Sequence, residues 1–302
     1  MFDAQLRLNS EKDVGRGVLV DAPRREVRIR RMNGNAIVLP LSEEDVKWIE
    51  ERVGEGGSLV FAMVWVGRSR RNGAVALYMA LTFKRKVTQM TPRRLLVVDL
   101  NALHNGVVVA TVVSDRVLRR GVLRPDIAKI RHLQRQIARL DSLCAERDDG
   151  AVCQHVTSVK GRLWRLLRSW EDEATEKIIC LAMQYKAAII ADVPDDKSMR
   201  ELKESNYSAE RKIMLNFGRL RRRIRELAEW RGVPYREDRL YSTVCPKCGW
   251  KMEELPERCV KCQCGFTAHR NEVPIAWAMK GFKELTPSFS APSAVLATAE
   301  SI

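Results

Sequence analysis

Two short cysteine clusters constrain this chain more than any other feature. In Cys245-Pro246-Lys247-Cys248-Gly249 a two-residue spacer lets both thiolates face one ion, and the glycine lets the backbone turn beneath it. A second knuckle is expected roughly 10 to 20 residues on. Cys259, Cys262 and Cys264, followed by Gly265, supply it. Three thiols compete for two places, because Cys259 and Cys262 have the usual spacing while Cys264 precedes the usual glycine. Cys264 is therefore expected as a ligand, with Cys259 or Cys262 as its mate. Four thiolates close a tetrahedral zinc site and leave no open position, so the zinc is expected to be structural. Structural zinc supplies about 10 to 16 kcal/mol in small modules, enough to order an insert with almost no apolar core.

The remaining cysteines, Cys144, Cys153 and Cys180, have no ligand spacing and read as core or surface thiols. The start, Met1-Phe2-Asp3-Ala4-Gln5, has neither a basic nor an apolar leader segment, so the thiols are expected to stay reduced. The 302 residues carry 53 Lys+Arg against 38 Asp+Glu, a net charge of +15, which calls for an anionic partner. A hydrophobic content of 45% suffices for two domains. The longest apolar runs, such as 58–67 and 95–100, fall short of the roughly 20 residues a membrane helix needs, so no membrane partner is expected. The expected location is cytoplasmic, in association with nucleoid or ribonucleoprotein.

Residues 1–91 alternate as β-structure: 18–20, 27–29, 36–39, 59–66 and 74–83. Asn33-Gly34 and Asn72-Gly73 supply tight turns, and a short helix covers 42–52. A small β-barrel or β-sandwich is the expected closure. Arg24, Arg25, Arg28, Arg30 and Arg31, then Arg68, Arg70 and Arg71, concentrate positive charge on it. From Pro92 the pattern changes. A continuous apolar strand, 95–100, contains Asp99 and leads into strands at 107–113 and 117–123. Ile127, Ile130, Leu133, Ile137 and Leu140 then share one helix face, with Lys129, Arg131, Arg135 and Arg139 on the other. A second helix, 160–186, feeds a strand at 187–192, and a third spans 208–231.

That third helix carries Arg211, Lys212, Arg219, Arg221, Arg222, Arg223, Arg225 and Arg231 against Glu210, Glu226 and Glu229. No acid falls between Arg219 and Arg225 to pair at helical spacing, so the face reads as a phosphate-binding one. A strand at 233–237, the cysteine insert, a helix at 272–285 and a Ser/Pro/Ala-rich tail, expected to be disordered, complete the chain. The order from residue 93 is strand, strand, strand, helices, strand, helix, strand, insert, helix. An α/β, RNase H-like domain has that order.

The residues now resemble a known family. Asp99 on an apolar strand, Leu133-Gln134-Arg135-Gln136-Ile137, Ala228-Glu229-Trp230-Arg231-Gly232-Val233-Pro234, Ser242-Thr243-Val244-Cys245-Pro246-Lys247-Cys248-Gly249 and Cys264-Gly265-Phe266-Thr267-Ala268 are similar to TnpB. TnpB is the transposon-encoded, RNA-guided nuclease related to type V CRISPR effectors. The resemblance implies a wedge-like β-barrel at 1–91, an RNase H-like (RuvC) domain at 92–240, a zinc ribbon at 241–266, a final RuvC helix at 267–285 and a disordered tail at 286–302. It leaves no room for the family's helical recognition domain.

The departures bear on chemistry. The family places an Asp on the first strand, a Glu at the end of the fourth, and an Asp-Arg-Asp before the last helix. Here Asp99 keeps the first, the second falls on Ala191 or, one residue on, Asp192, and the third reads His269-Arg270-Asn271. Two Mg²⁺ ions about 4 Å apart repel by about 4 kcal/mol in water and about 17 kcal/mol at an effective dielectric of 20. Three shared carboxylates offset this; one does not. Rescue requires Asp192 and Glu272 both to join Asp99, yet Glu272 is one residue, about 100° of helix, out of phase.

The expectation is therefore a nuclease-inactive, TnpB-like nucleic-acid-binding protein whose main partner is RNA, either a guide RNA with DNA targeting or a structured RNA of a ribonucleoprotein particle, with DNA a partner only in the first version. Expected contacts are Arg211, Lys212, Arg219, Arg222, Arg223, Arg131, Arg135, Arg68, Arg70, Arg71, Tyr241 and Trp250. Asp99 is then vestigial, and Asp192 and Glu272 are the weaker catalytic candidates. Zinc is the expected cofactor, with Mg²⁺ only if the nuclease site is intact. The alternatives are an active metal-dependent RNA-guided endonuclease of a transposable element, and a zinc-ribbon DNA binder that acts without RNA.

Overall fold

The computed structural model describes residues 2–7, 18–30, 35–68, 75–100, 108–114, 116–147, 150–193 and 217–285, with residue 115 outside the description. The chain divides into two compact units, Met1–Val87 and Thr88–Ile302.

In the first unit β1 (Phe2–Arg7), β2 (Val18–Asp21), β3 (Glu26–Arg30), β4 (Ala36–Pro40), β5 (Ser58–Arg68) and β6 (Val75–Lys84) form one sheet in the order β4-β3-β2-β1-β5-β6. The strand β1, which the sequence pattern did not disclose, runs parallel to β2 and antiparallel to β5. Helix α1 (Glu43–Gly54) starts at a capping box in which the Ser42 hydroxyl accepts from the Asp45 amide and the Asp45 carboxylate accepts from the Ser42 amide. Its Ile49 joins Val18, Val20, Val27, Ile29 and Ala62 in the core of this unit.

In the second unit β7 (Arg94–Leu100), β8 (Val108–Val113), β9 (Val117–Leu123), β10 (Ala187–Asp192) and β11 (Tyr235–Asp238) take the order β11-β10-β7-β8-β9. β11, β10 and β7 are mutually parallel, while β8 and β9 are antiparallel. The run 95–98 of β7 is apolar because both faces of the strand are covered. Leu96, Val98 and Leu100 pack under the helices α2 (Ile127–Arg147), α3 (Gly150–Tyr185) and α4 (Phe217–Arg231). Leu95 and Val97 face α5 (Val273–Leu285) through Ile275 and Ala278. The alternation of a strand therefore puts Asp99 on the α5 side.

One expectation is corrected here. Cys144 and Cys153 are joined by a disulfide, with their Cα atoms 5.2 Å apart, and are not separate thiols. The cause is topological: α2 and α3 form an antiparallel hairpin, which brings residues nine apart in sequence face to face. The hairpin register is fixed again where Lys160 Nζ meets Asp141 Oδ1 at 2.9 Å. Among the described residues no helix is long and apolar enough to cross a membrane.

Candidate metal centre and nucleic-acid interface

Between β11 and α5 the chain builds a small three-stranded sheet, β12 (Glu253–Glu254), β13 (Cys259–Lys261) and β14 (Thr267–His269). The first knuckle closes where the Gly249 amide donates to the Cys245 carbonyl at 2.9 Å, the second where the Gly265 amide donates to the Cys262 carbonyl at 3.0 Å. Gly249 and Gly265 adopt φ of 79° and 85°, the left-handed conformation that a side chain resists. The turns gather Cys245, Cys248, Cys262 and Cys264, whose sulfurs lie within 4.8 Å of one another. Cys245 Sγ is 3.6 Å from Cys264 Sγ, and Cys248 Sγ is 3.3 Å from Cys262 Sγ.

This choice resolves the competition among the three downstream thiols and corrects one candidate. Cys259 is outside the cluster, because it pairs with His269 in the β13–β14 ladder, on the strand leading into the turn. Cys262 and Cys264 flank the turn itself. The donor set fits a metal ion. Burial pushes the Cys245 thiol up, while a hydrogen bond from the Phe266 backbone brings Cys264 down to about 7. Only a cation would let all four sulfurs be thiolates at such separations.

The carboxylate candidates are arranged differently. Val98 pairs with Ala191 across the parallel strands β7 and β10, so the next residues, Asp99 and Asp192, stand side by side near the ends of those strands. Ala191 is fully buried under the helices, and Asp192 is the residue on the α5 face with Asp99. The Asp192 carboxyl is pushed up to about 7, chiefly by burial; the Leu240 amide lowers it and the Asp99 charge raises it. Glu272 stands just before α5, its amide donating to the His269 carbonyl at 2.8 Å. Among the described residues the cysteine cluster is the one tight group of potential metal ligands, and Asp99, Asp192 and Glu272 form no second one. Arg270 clamps the insert, with Nε 3.3 Å from Ser242 Oγ and Nη1 3.1 Å from Glu254 Oε2.

The basic residues differ in pairing and in exposure. On α4, Arg219 pairs with Glu171 and Arg223 with Asp172, both acids on α3, and Arg221 meets Glu237 at 3.1 Å. Arg222 is exposed. In the first unit Arg24, Arg25 and Arg28 pair with Asp21, Glu43 and Glu26 at 3.9, 3.5 and 2.7 Å. Arg131 and Arg135 are exposed on α2. Arg68 ends β5; Arg70, Arg71, Arg211, Lys212 and the 286–302 tail lie outside the described residues. Tyr241 sits between Arg239, whose guanidinium is 4.5 Å from its ring centre, and Trp277, 5.2 Å away. Trp250 projects from the first knuckle, 72% exposed. Sequence reasoning missed Arg162, Arg165 and Arg168, exposed on α3, although the absence of any acid from 150 to 170 marked them.

Comparison with known proteins agrees with the likeness read from the sequence. Residues 217–273 match the family model described as Cas12f1-like, TNB domain. In fold, the chain is similar to the protein of a Cas12f1–sgRNA–target DNA complex, with a TM-score of 0.50 and 9% identity, over 92% of this chain and 58% of that one. A CRISPR-Cas12f ternary complex matches with a TM-score of 0.44 and 13% identity, over 88% of this chain and 52% of that one. The chain thus spans little more than half the length of either neighbour. No curated protein sequence matches it.

Proposed function

We propose that this TnpB-like, type V effector-like chain binds nucleic acid through a scaffold that has lost its cleavage centre, with RNA as its main partner and target DNA as a second. The neighbour similar in fold is complexed with sgRNA and target DNA, and those two partners are carried over as the proposal. An RNase H-like (RuvC) reading of 92–240 and 267–285 is supported by the order β11-β10-β7-β8-β9 with an antiparallel second strand. A wedge-like barrel at 1–91 is supported by the six-stranded sheet. The ribbon at 241–266 is proposed to hold structural zinc on Cys245, Cys248, Cys262 and Cys264.

One observation carries the loss of cleavage. His269-Arg270-Asn271 occupies the stretch where the family has two aspartates, and its Arg270 is engaged in holding the insert together. Neutral His269 and Asn271 bring no negative charge to Asp99 and Asp192, and Mg²⁺ takes hard oxygen ligands in preference to imidazole. Asp192, raised to about 7, is itself only partly ionised at neutral pH in the absence of a cation.

An active nuclease is the second reading, favoured by the adjacency of Asp99 and Asp192. One experiment separates the two. Purified protein is recovered with its bound RNA, the RNA is sequenced, and the complex is incubated with labelled complementary DNA and Mg²⁺ or Mn²⁺. Binding without cutting is the expected result. Cutting that Asp99→Ala abolishes establishes the nuclease, and recovery free of RNA with binding to duplex DNA points to a plain zinc-ribbon DNA binder. A repeat- or transposon-end-derived RNA identifies a guide, and ribosomal RNA identifies a place in a structured particle.

A further inference from the structure

Three arginines of α4, Arg219, Arg221 and Arg223, are held by acids of α3 and β11, which leaves a smaller open cationic surface there than the sequence implied. The antiparallel hairpin of α2 and α3 offers another. Lys160 beside Asp141 sets the register, and from there the two helices diverge in sequence while staying in contact. On α2, Arg131, Arg135 and Arg139 recur every four residues, and all three are exposed. On α3, Lys160, Trp164 and Arg168 form a row of the same spacing that starts where Lys160 meets Asp141 of α2, and Arg165 is exposed beside it. Antiparallel register sets Arg135 abreast of Trp164 and Arg165, and Arg131 abreast of Arg168.

Four residues advance a helix by about 6 Å, and packed helices lie about 8 to 10 Å apart. The outcome is exposed guanidinium groups on both helices of the hairpin, with a tryptophan, 40% exposed, among those of α3. From Gly150 to Trp170 there is no acidic residue at all. Among the described residues Arg135, Arg165 and Arg168 make no ion pair, whereas the structural arginines of α4 each have one. Arg168 feels Glu171 only as a field at longer range.

We propose that this outward face of the α2–α3 hairpin, built on Arg135, Trp164, Arg165 and Arg168, is where RNA lays its phosphate backbone, with one base stacked on Trp164. The inference deepens the RNA reading and rests on it. Guanidinium forks match phosphate oxygens, and an aromatic face beside them accepts any base, so the contact is tight without reading sequence. A phosphate-rich strand also fits the spacing of the cations better than an acidic peptide, whose carboxylates alternate across a strand or wind around a helix.

The test uses the full chain and its copurified RNA, refolded onto wild-type protein and onto the triple variant Arg135→Gln/Arg165→Gln/Arg168→Gln. Glutamine keeps helix propensity, and unchanged circular dichroism and melting confirm the fold. Binding is followed against salt. Each single-strand phosphate contact adds about 0.7 to the log-log slope, so the triple variant should lose about 2 from it. Trp164→Ala should weaken binding tenfold or more and remove the photocrosslink expected between RNA and residue 164. If wild-type protein binds no RNA, the RNA reading fails. If wild-type binds RNA and the triple variant keeps the full slope, the reading stands and this surface is overturned. A slope lost only with duplex DNA, or a hairpin protected by an acidic protein in place of RNA, overturns it equally.

Discussion

The backbone N–H of Leu240 donates to Asp192 Oδ1 at 2.9 Å, tying the chain just after β11 to the end of β10. The same carboxyl lies beside Asp99 and is largely buried, so a hydrogen-bonded acid ends up with a raised affinity for its proton.

That relationship fixes a pH dependence. The ordinary carboxylate value is 3.8, and Asp192 is pushed up to about 7. Between those values the folded chain holds a proton that the unfolded chain has released. The stabilisation is complete below about pH 4 and disappears as pH rises through about 7, by at most about 4 kcal/mol. Urea unfolding of wild type and Asp192→Asn should converge in stability at low pH. Near pH 8 the wild type should be the weaker of the two. A difference that is flat across the window contradicts the burial assigned to Asp192.

Substitution of the cysteines should separate ligands from bystanders. Cys262→Ser removes a sulfur from the cluster and should abolish stoichiometric metal, measured by elemental analysis of the purified protein. Cys259→Ser should leave the metal in place, because Cys259 belongs to the β13–β14 ladder. Chelation should unfold the ribbon in both wild type and Cys259→Ser, seen as quenching changes at Trp250 and Trp277, since the ion stabilises such modules by about 10 kcal/mol or more.

Arg219 and Arg222 neighbour each other on α4 yet should behave oppositely. Arg219→Gln strips the counter-charge from Glu171, which is 5% exposed, and should cost roughly 1 to 3 kcal/mol at neutral pH. Burial already displaces Glu171 upward, so the loss should shrink on acidification as that carboxyl takes up a proton. Arg222→Gln, at an exposed position, should change stability by less than about 0.5 kcal/mol. Chemical denaturation at two pH values checks both.

The Cys144–Cys153 disulfide closes a loop of nine residues in sequence separation. Loop-closure entropy gives it about 2 to 3 kcal/mol, so Cys153→Ser or reduction should lower the unfolding midpoint accordingly, with the α2–α3 core otherwise intact. Thiol titration with and without reductant should differ by two groups, those of Cys144 and Cys153; no difference means that the pair is reduced.

Elements whose signal is local were legible in the residues. The apolar run of β7, the one-sided helix α2 and the knuckle glycines Gly249 and Gly265 each follow from spacing within a few positions. Strand β1 was not legible, because six residues with three apolar positions give too little periodicity to stand out from a loop. Helix α4 was legible as a helix but misleading as a surface. Its lack of acids at i,i+4 suggested open cations, whereas the acids come from α3, about 50 positions earlier.

Sequence by itself determined the cysteine-rich ligand set, the element order from β7 onward and the positive charge, since each depends on residue type and short-range spacing. Tertiary structure alone decided which cysteine joins the cluster, which arginines of α4 are paired with acids, and that Asp192 stands beside Asp99. Those outcomes depend on strand register and helix packing between distant segments, and a linear pattern of residues carries no register until the chain has closed on itself.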